Sequence, residues 1–384
     1  MTTLQEPETL KKTPLYDCHV ALQGKIVNFS GWALPVYYTG IIAEHQWVRQ
    51  SCGFFDVSHL GEIRVQGAGS FEFLQQRLTN DLKKGRNGGI LYSLLCNEHG
   101  RTLDDILVYQ EAADDYYLIV NAANIAKDLE ALRRYAPDSV TLQDQSEETA
   151  CLAVQGPKSE AILEKIFGFH LKGMPYYSFK EEKFLNEPVW VSRTGYTGED
   201  GFELFSKNAL APKLWERLAD AGKKEGALPA GLGARNTLRL EAGNVLYGHE
   251  LDETITPLEA GLRFAVSFGK GGFVGRDMLL VQKEAGLRRH LIGFKMTDRS
   301  VARENYPILN EGKKVGHVTS GSFAPTVGTG IGMGYVSAGL ETYGTRLDIE
   351  IHGRLVQAEV VKRPFIELKH KRGKREDGRQ QTED

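Results

Sequence analysis

Cysteine is scarce and dispersed. Cys18, Cys52, Cys96 and Cys151 form no Cys-x-x-Cys pair, a pattern that suits buried or free thiols in a reducing compartment better than disulfides or a zinc site. The histidines are equally scattered, and none stands at helical spacing to His59, so no metal centre is expected. His59 itself reads as a structural hydrogen-bonder. Long apolar runs are missing too: no stretch approaches the length needed to span a bilayer. Charge of one sign is absent, with 47 Lys and Arg against 50 Asp and Glu. No overall field therefore favours nucleic acid or a charged membrane. No Gly-x-x-x-x-Gly-Lys-Ser/Thr loop occurs, which leaves nucleotide hydrolysis without support. Residues 1–8 carry two acids and neither a basic residue nor an apolar core. A secretory signal or an Arg-rich transit peptide needs those features, so a cytoplasmic location is expected.

What remains is the composition of an ordinary globular protein, and 384 residues exceed what one small core can hold. Two or three domains are expected. In the first region, to about residue 150, the run from Gly61 to Gly67 alternates as a strand. Ser70 then reads as the cap of a helix whose apolar positions repeat at three and four. A strand is expected at 116–120 and a helix at 126–132. A second series starts with a strand at 151–155 and a helix after Gly156-Pro157. Beyond about residue 285 short alternating runs are separated by glycines, the texture of a small barrel or jelly roll. There Gly328, Gly330, Gly332 and Gly334 alternate without leading from a strand into a helix, so close strand packing explains them better than a dinucleotide loop. The stretch 369–384 is charged, lacks apolar residues and reads as a disordered tail.

Three segments carry candidate chemistry. Asp104 and Asp105 precede the apolar run Ile106-Leu107-Val108-Tyr109, which is β-branched and aromatic enough to be a strand. Successive side chains on a strand point to opposite faces, so one acid meets an interior or a cleft if one face is covered. The competing reading is a strand that starts in solvent, with both acids as turn residues. The second segment, Arg193-Thr194-Gly195-Tyr196-Thr197-Gly198-Glu199-Asp200-Gly201-Phe202-Glu203, has three glycines in seven positions. It is either an elaborate hairpin or a loop that lets a flat heteroaromatic ring approach the backbone. In the second case Tyr196 offers a stacking face, and Glu203 can accept the two parallel N–H donors of a pterin. In the third, Gly231 to Gly243, a helix carries Arg235 and Arg239 four apart on one stripe, facing either solvent or a carboxylate. Glu241 and Gly243 read as ordinary helix-terminal residues.

Taken together, these segments resemble the folate-dependent aminomethyltransferase family, the T-proteins of the glycine cleavage system. The match includes Gly53-Phe54-Phe55-Asp56-Val57-Ser58-His59-Leu60-Gly61, the Leu103-Asp104-Asp105 strand and the 193–203 loop. It continues through the run from Gly231 to Glu259 and through Val318-Thr319-Ser320-Gly321-Ser322-Phe323-Ala324-Pro325, covering about residues 12 to 366 in order. The resemblance implies an α+β, three-domain cloverleaf around a central channel. Two mixed αβ domains with ferredoxin-like or antiparallel sheets would occupy 1–284, the inserted one at about 55–150. A C-terminal β-barrel or jelly roll would occupy 285–368. It further implies that Asp105 is the catalytic acid, that Glu203 holds the pterin with Tyr196 beside it, and that Arg235, Asn121 and Tyr92 line the folate pocket. The implied reaction moves the one-carbon unit of an aminomethyl group on lipoylated H-protein to tetrahydrofolate, giving methylenetetrahydrofolate, ammonia and dihydrolipoyl H-protein. No metal, nucleic acid or membrane takes part.

The nearest relatives in kind are folate-dependent dimethylglycine, sarcosine and dimethylsulfoniopropionate demethylating domains, and the chain lacks the fused flavin domain of the first two. A non-enzymatic folate-binding group carries Lys-Gly-Cys-Tyr-x-Gly-Gln-Glu. Here the comparable stretch is Lys270-Gly271-Gly272-Phe273-Val274-Gly275-Arg276-Asp277, without the cysteine. Asn236 stands where the family pattern carries Asp, which removes a possible partner for Arg235 or Arg239.

Overall fold

The computed structural model describes residues 10–370. Most of the stretch expected to form a disordered tail, 371–384, lies outside the described residues. Three sheets organise the rest, with a small hairpin of Ile26–Phe29 and Trp32–Pro35 beside them.

The first large sheet has six strands in the order Phe179–Phe184, Glu187–Ser192, Gly201–Lys207, Thr149–Gln155, Cys52–Asp56, Ala227–Pro229. Its last pair is parallel, a departure from the antiparallel sheets expected, because Ala227–Pro229 reaches the edge after a helical crossover. Strand Thr149–Gln155 is apolar at consecutive positions because both its faces are covered. Leu152 and Val154 enter one core, Cys151 and Ala153 another. Helices Ser159–Phe167 and Ala211–Arg217 cover the first of these faces. Trp215 is buried there and meets Phe54 edge-on at 4.8 Å, a contact worth about 0.5–1.5 kcal/mol beyond its area.

The second sheet runs Gly89–Cys96, Thr102–Ala112, Asp115–Val120, Gly61–Gln66, Thr141–Asp144. Helices Ser70–Arg77 and Ile125–Arg133 bury one face, against Ile63, Val65, Ile106, Val108 and Leu118. Ser70 does not cap its helix as expected. It is the first helical residue, Gly69 occupies the cap position, and the Ser70 hydroxyl donates back to the Gly67 carbonyl at 2.7 Å. The opposite face turns Leu107, Tyr109 and Ile119 toward Phe55, Cys151 and Ala153 of the first sheet, with helix Leu232–Glu241 closing the group.

The six strands of 289–361 close into a barrel, Arg289–Met296, Thr329–Ser337, Lys313–Ala324, Pro307–Asn310, Arg346–Ile351, Arg354–Val361. A Cβ at Gly332 would meet the Phe294 ring at 2.3 Å, and Gly330 and Gly334 are equally confined, so close packing requires these three glycines. Gly328, by contrast, has open space around it and serves a turn with φ of +81°. The barrel is joined to the rest by a core that includes Leu94, Leu240, Leu251, Leu291 and Met333. Charged groups reinforce the seam between the two sheets and the barrel. Glu241, expected to be an ordinary helix-terminal residue, is wholly buried between His45 at 3.1 Å and Arg49 at 3.0 Å, and it accepts the Thr326 backbone N–H at 2.8 Å.

Not every buried acid has such partners. Glu62, on strand Gly61–Gln66, is 2% exposed, and neither of its carboxylate oxygens meets a donor among the described residues. Burial, aided by Asp144, holds this carboxyl well above the usual range. The stability such a group contributes is fully present below its unfolded pKa and is lost as pH rises through its folded value. Glu62→Gln is expected to flatten that loss: above about pH 4.3 the variant should gain on the parent by up to about 1.4 kcal/mol per pH unit. Thermal midpoints measured across the acid and neutral range check this, and parallel curves for the two proteins would refute it.

Candidate functional site

Between the two sheets and the chain segments leading into and out of the barrel lies a cavity of about 730 Å³, the size of a pocket for a drug-sized ligand. Tyr92, Asp105, Asn121, Tyr196, Glu203 and Arg235 all line it. Six side chains expected from distant stretches of sequence therefore meet in one place.

Strand Thr102–Ala112 forms one wall. Its alternation sends Asp104 toward helix Ile125–Arg133 and Asp105 into the cavity. Neither acid is a solvent-facing turn residue, and Asp104 is completely buried. The neighbouring strand supplies Tyr92, whose hydroxyl donates to Asp105 Oδ2 at 2.9 Å. Asn121, just beyond strand Asp115–Val120, donates its side-chain amide to Asp105 Oδ1 at 3.0 Å. Burial, then the Asp104 charge, raises the Asp105 carboxyl to about 7, while the Tyr92 and Asn121 donors pull it back down. A carboxyl balanced in this way can exchange a proton near neutral pH. Phe264, 64% exposed, stacks on Tyr92 at the lip with ring centroids 5.8 Å apart.

The first sheet forms another wall. Glu203, on strand Gly201–Lys207, accepts the Thr194 hydroxyl at 2.6 Å on Oε2, and its other oxygen has no donor among the described residues. Burial raises its carboxyl, while Thr194 and Arg235 oppose the shift. The loop before it is pinned from within. Gln155 donates to the Thr194 and Phe202 carbonyls and accepts from Thr197. A Cβ at Gly195 would lie 2.0 Å from the Gln155 side chain, so only glycine admits this staple. Arg193, also buried, is held by Asp200 and by Glu160 at 2.7 Å, which makes it a structural residue.

Arg235 and Arg239, expected on one stripe, have separate duties. Arg239 is buried and bonds Glu250 at 2.9 Å, Ser320 at 2.7 Å and Asn236 at 2.9 Å. The amide at position 236 thus serves as an acceptor, and Glu250 supplies the charge. Arg235 lies over the Tyr196 ring, 4.7 Å from its centroid, and its Nη1 is buried without an acceptor. The Tyr196 hydroxyl donates to the Val245 carbonyl, which fixes the ring.

The lining residues that sequence reasoning did not place in the site include His59, Phe264 and Arg363. His59 is not the hydrogen-bonder expected. Its Nδ1 is buried without a partner among the described residues, and the ring packs edge-on against Phe29 at 5.4 Å. Burial and the nearby Arg235 hold it neutral, lowered to about 4. The Asp56-Val57-Ser58-His59 motif was the available signal. Arg363 arrives because the chain turns back after the barrel. Phe365 donates its backbone N–H to Glu241 at 2.9 Å and Lys369 to Gly198 at 2.8 Å, so Arg363, Pro364, Leu368 and His370 become cavity wall. No local pattern in the sequence announces that return.

Chemically, the cavity offers a carboxylate with a free oxygen on one wall, a carboxyl of tunable charge on another, and a guanidinium with a free N–H group. Among the described residues no group of His, Cys, Asp and Glu is arranged to hold a metal ion, and no helix is long and apolar enough to cross a membrane.

Comparison with known proteins adds a family to this geometry. Residues 15–270 match the GCVT N-terminal domain, and residues 289–367 match the glycine cleavage T-protein C-terminal barrel domain. A curated aminomethyltransferase from Thermoanaerobacter sp. (strain X514) is 45% identical over 367 residues, 95% of this chain and 100% of the relative. Another, from Moorella thermoacetica, is 47% identical over 357 residues, 93% of this chain and 98% of the relative. The crystal structure of glycine cleavage system aminomethyltransferase T from Bartonella henselae superposes with a TM-score of 0.89 at 32% identity, covering 94% of this chain and 99% of that one.

Proposed function

Because the chain belongs to the glycine cleavage T-protein family, we propose that the cavity between its two sheets binds tetrahydrofolate and that Asp105 assists the transfer of the one-carbon unit. The activity is that of a folate-dependent aminomethyltransferase. It takes the aminomethyl group from the lipoyl arm of a carrier and releases ammonia. One observation carries the site assignment: Asp105, steadied by Tyr92 and Asn121, shares a single cavity with Glu203, whose Oε1 has no donor among the described residues.

The chemistry follows from those groups. A pterin presents an amino group and a ring N–H as parallel donors, which one carboxylate can accept together. Glu203 fits that task, with Tyr196 and Arg235 beside the ring. One folate amine then attacks the methylene carbon and displaces ammonia, and the second displaces the lipoyl sulfur as a thiol. Two new C–N bonds thus replace the broken C–N and C–S bonds, and the two amine protons leave on ammonia and the thiol. Positive charge develops at the attacking nitrogen, and an ionised Asp105 stabilises it and accepts its proton. Most of the acceleration comes from holding a bound folate and a tethered lipoyl arm together, and no covalent bond to the protein is required. The carrier in this reading is lipoylated H-protein. The four cysteines, all free, support a reducing, cytoplasmic setting.

The test is methylenetetrahydrofolate formation from aminomethyl-loaded H-protein, with ammonia release followed with and without tetrahydrofolate, compared with methylenetetrahydrofolate formation from dimethylglycine supplied with an electron acceptor. Folate-stimulated release from the carrier alone is expected. Preferential turnover of dimethylglycine would replace this reading with demethylation.

A further inference from the structure

Behind Asp105 lies a second pair of acids that the reaction as described does not use. Asp104 and Asp128 are both completely buried, on strand Thr102–Ala112 and helix Ile125–Arg133. Asp104 is richly supplied with donors. Its Oδ2 accepts the Asn121 backbone N–H at 3.0 Å. Its Oδ1 accepts the side-chain amides of Asn121 at 2.8 Å and Asn124 at 2.6 Å. Asp128 has none: neither of its oxygens meets an N–H or O–H donor among the described residues, and the group it faces is the Asp104 carboxyl. Two ionised carboxylates accept only and repel each other, so burying two side by side favours the form in which one of them is protonated. The donors around Asp104 favour its charged form, which leaves the proton on Asp128. The pair then carries one negative charge, located on Asp104.

That charge is coupled to the cavity through one side chain. The Asn121 amide nitrogen forks, donating at once to Asp104 Oδ1 and to Asp105 Oδ1. We propose that Asp104 is a positioning residue for the transfer reaction: with a proton held by Asp128, its single charge aims the Asn121 amide at Asp105 and sets the basicity of that carboxylate. The inference rests on the reading of Asp105 given above. The other titratable groups around the cluster fit it. Tyr92, Tyr177 and Tyr196 face Asp105 from the surrounding walls as neutral phenols raised by burial. Lys127, next to Asp128, turns its amine to the Tyr247 hydroxyl at 2.7 Å and to Glu253 at 3.2 Å. The Asp104 charge is the second cause, after burial, of the raised Asp105 carboxyl.

The experiment is the pH profile of kcat/KM for ammonia release in the full-length protein, for the parent and for Asp104→Asn, Asp128→Asn and Asp105→Asn. Asp104→Asn keeps an acceptor oxygen for both amides but removes the charge, so its acid limb should move down by about one pH unit or more. In Asp128→Asn an amide N–H replaces the shared proton, and the limb should stay in place. An unmoved limb in Asp104→Asn, at whatever rate, overturns the proposal, as does an equal displacement in Asp128→Asn. Normal turnover in Asp105→Asn would instead remove the assignment of Asp105 on which the inference stands. The shared proton can also be seen without disturbing Asp104. The infrared difference spectrum of parent minus Asp128→Asn at neutral pH should contain a protonated-carboxyl band, since the raised Glu62 and Asp105 carboxyls are common to both proteins and cancel. A difference spectrum without that band counts against the pair.

Discussion

Asp105→Asn is expected to lower ammonia release from aminomethyl-loaded H-protein by roughly 10²- to 10⁴-fold, the range over which a positioned proton acceptor acts. Asparagine preserves the size of the side chain and one acceptor oxygen, so Tyr92 and Asn121 keep most of their packing and the protein should fold. What it loses is the negative charge beside the attacking amine. Folate affinity should change far less, because Glu203 on another wall is untouched. The parent enzyme should also show an acid limb. With its carboxyl raised to about 7, Asp105 is protonated below that pH and ionised above it, so activity climbs as pH rises through neutrality. The residual rate of Asp105→Asn should lack that limb. Undiminished turnover in this variant would end the assignment.

The second large effect concerns binding. Glu203→Gln should weaken tetrahydrofolate by about 10- to 100-fold, since a hydrogen bond to a charged group is worth about 1.5–3 kcal/mol. The substituted amide offers one acceptor and one donor where the pterin presents two donors. Thr194 supports the outcome by already bonding Oε2 at 2.6 Å, so the side chain has little freedom to re-pair. Calorimetric titration of the folate reads this directly, and the loss should fall on Kd and KM while kcat at saturating folate is largely kept. A dissociation constant equal to that of the parent would reject the role given to Glu203.

Much of this architecture can be read along the chain because local period and burial agree. The barrel strands alternate and are separated by glycines, and Thr149–Gln155 is apolar at consecutive positions because both its faces are covered. The acidic pair could be placed on a strand, and strand alternation required its two members to part. Which way each would face depended on helix Ile125–Arg133, packed over one side of the sheet from about 20 residues downstream, and no local signal reports that. Arg235 and Arg239 illustrate the same limit. Their spacing implies a common stripe, yet Glu250 and Ser320 claim one and Tyr196 the other. Glu241 looked ordinary because its partners, His45 and Arg49, lie almost 200 residues earlier. Long-range pairing of buried charge was the part that pattern could not supply.

The return of residues 363–370 across the cavity has a consequence for biosynthesis. Translation proceeds from the amino end, so both sheets and all six barrel strands emerge from the ribosome before the segment that holds Phe365 against Glu241 and Lys369 against Gly198. A chain that stops at position 362 has the sequence of every strand and helix among the described residues but lacks Arg363, Leu368 and His370 at the pocket. The last wall of the cavity is therefore set in place only after the barrel strands have been made, so closing the pocket follows the making of the sheets that frame it.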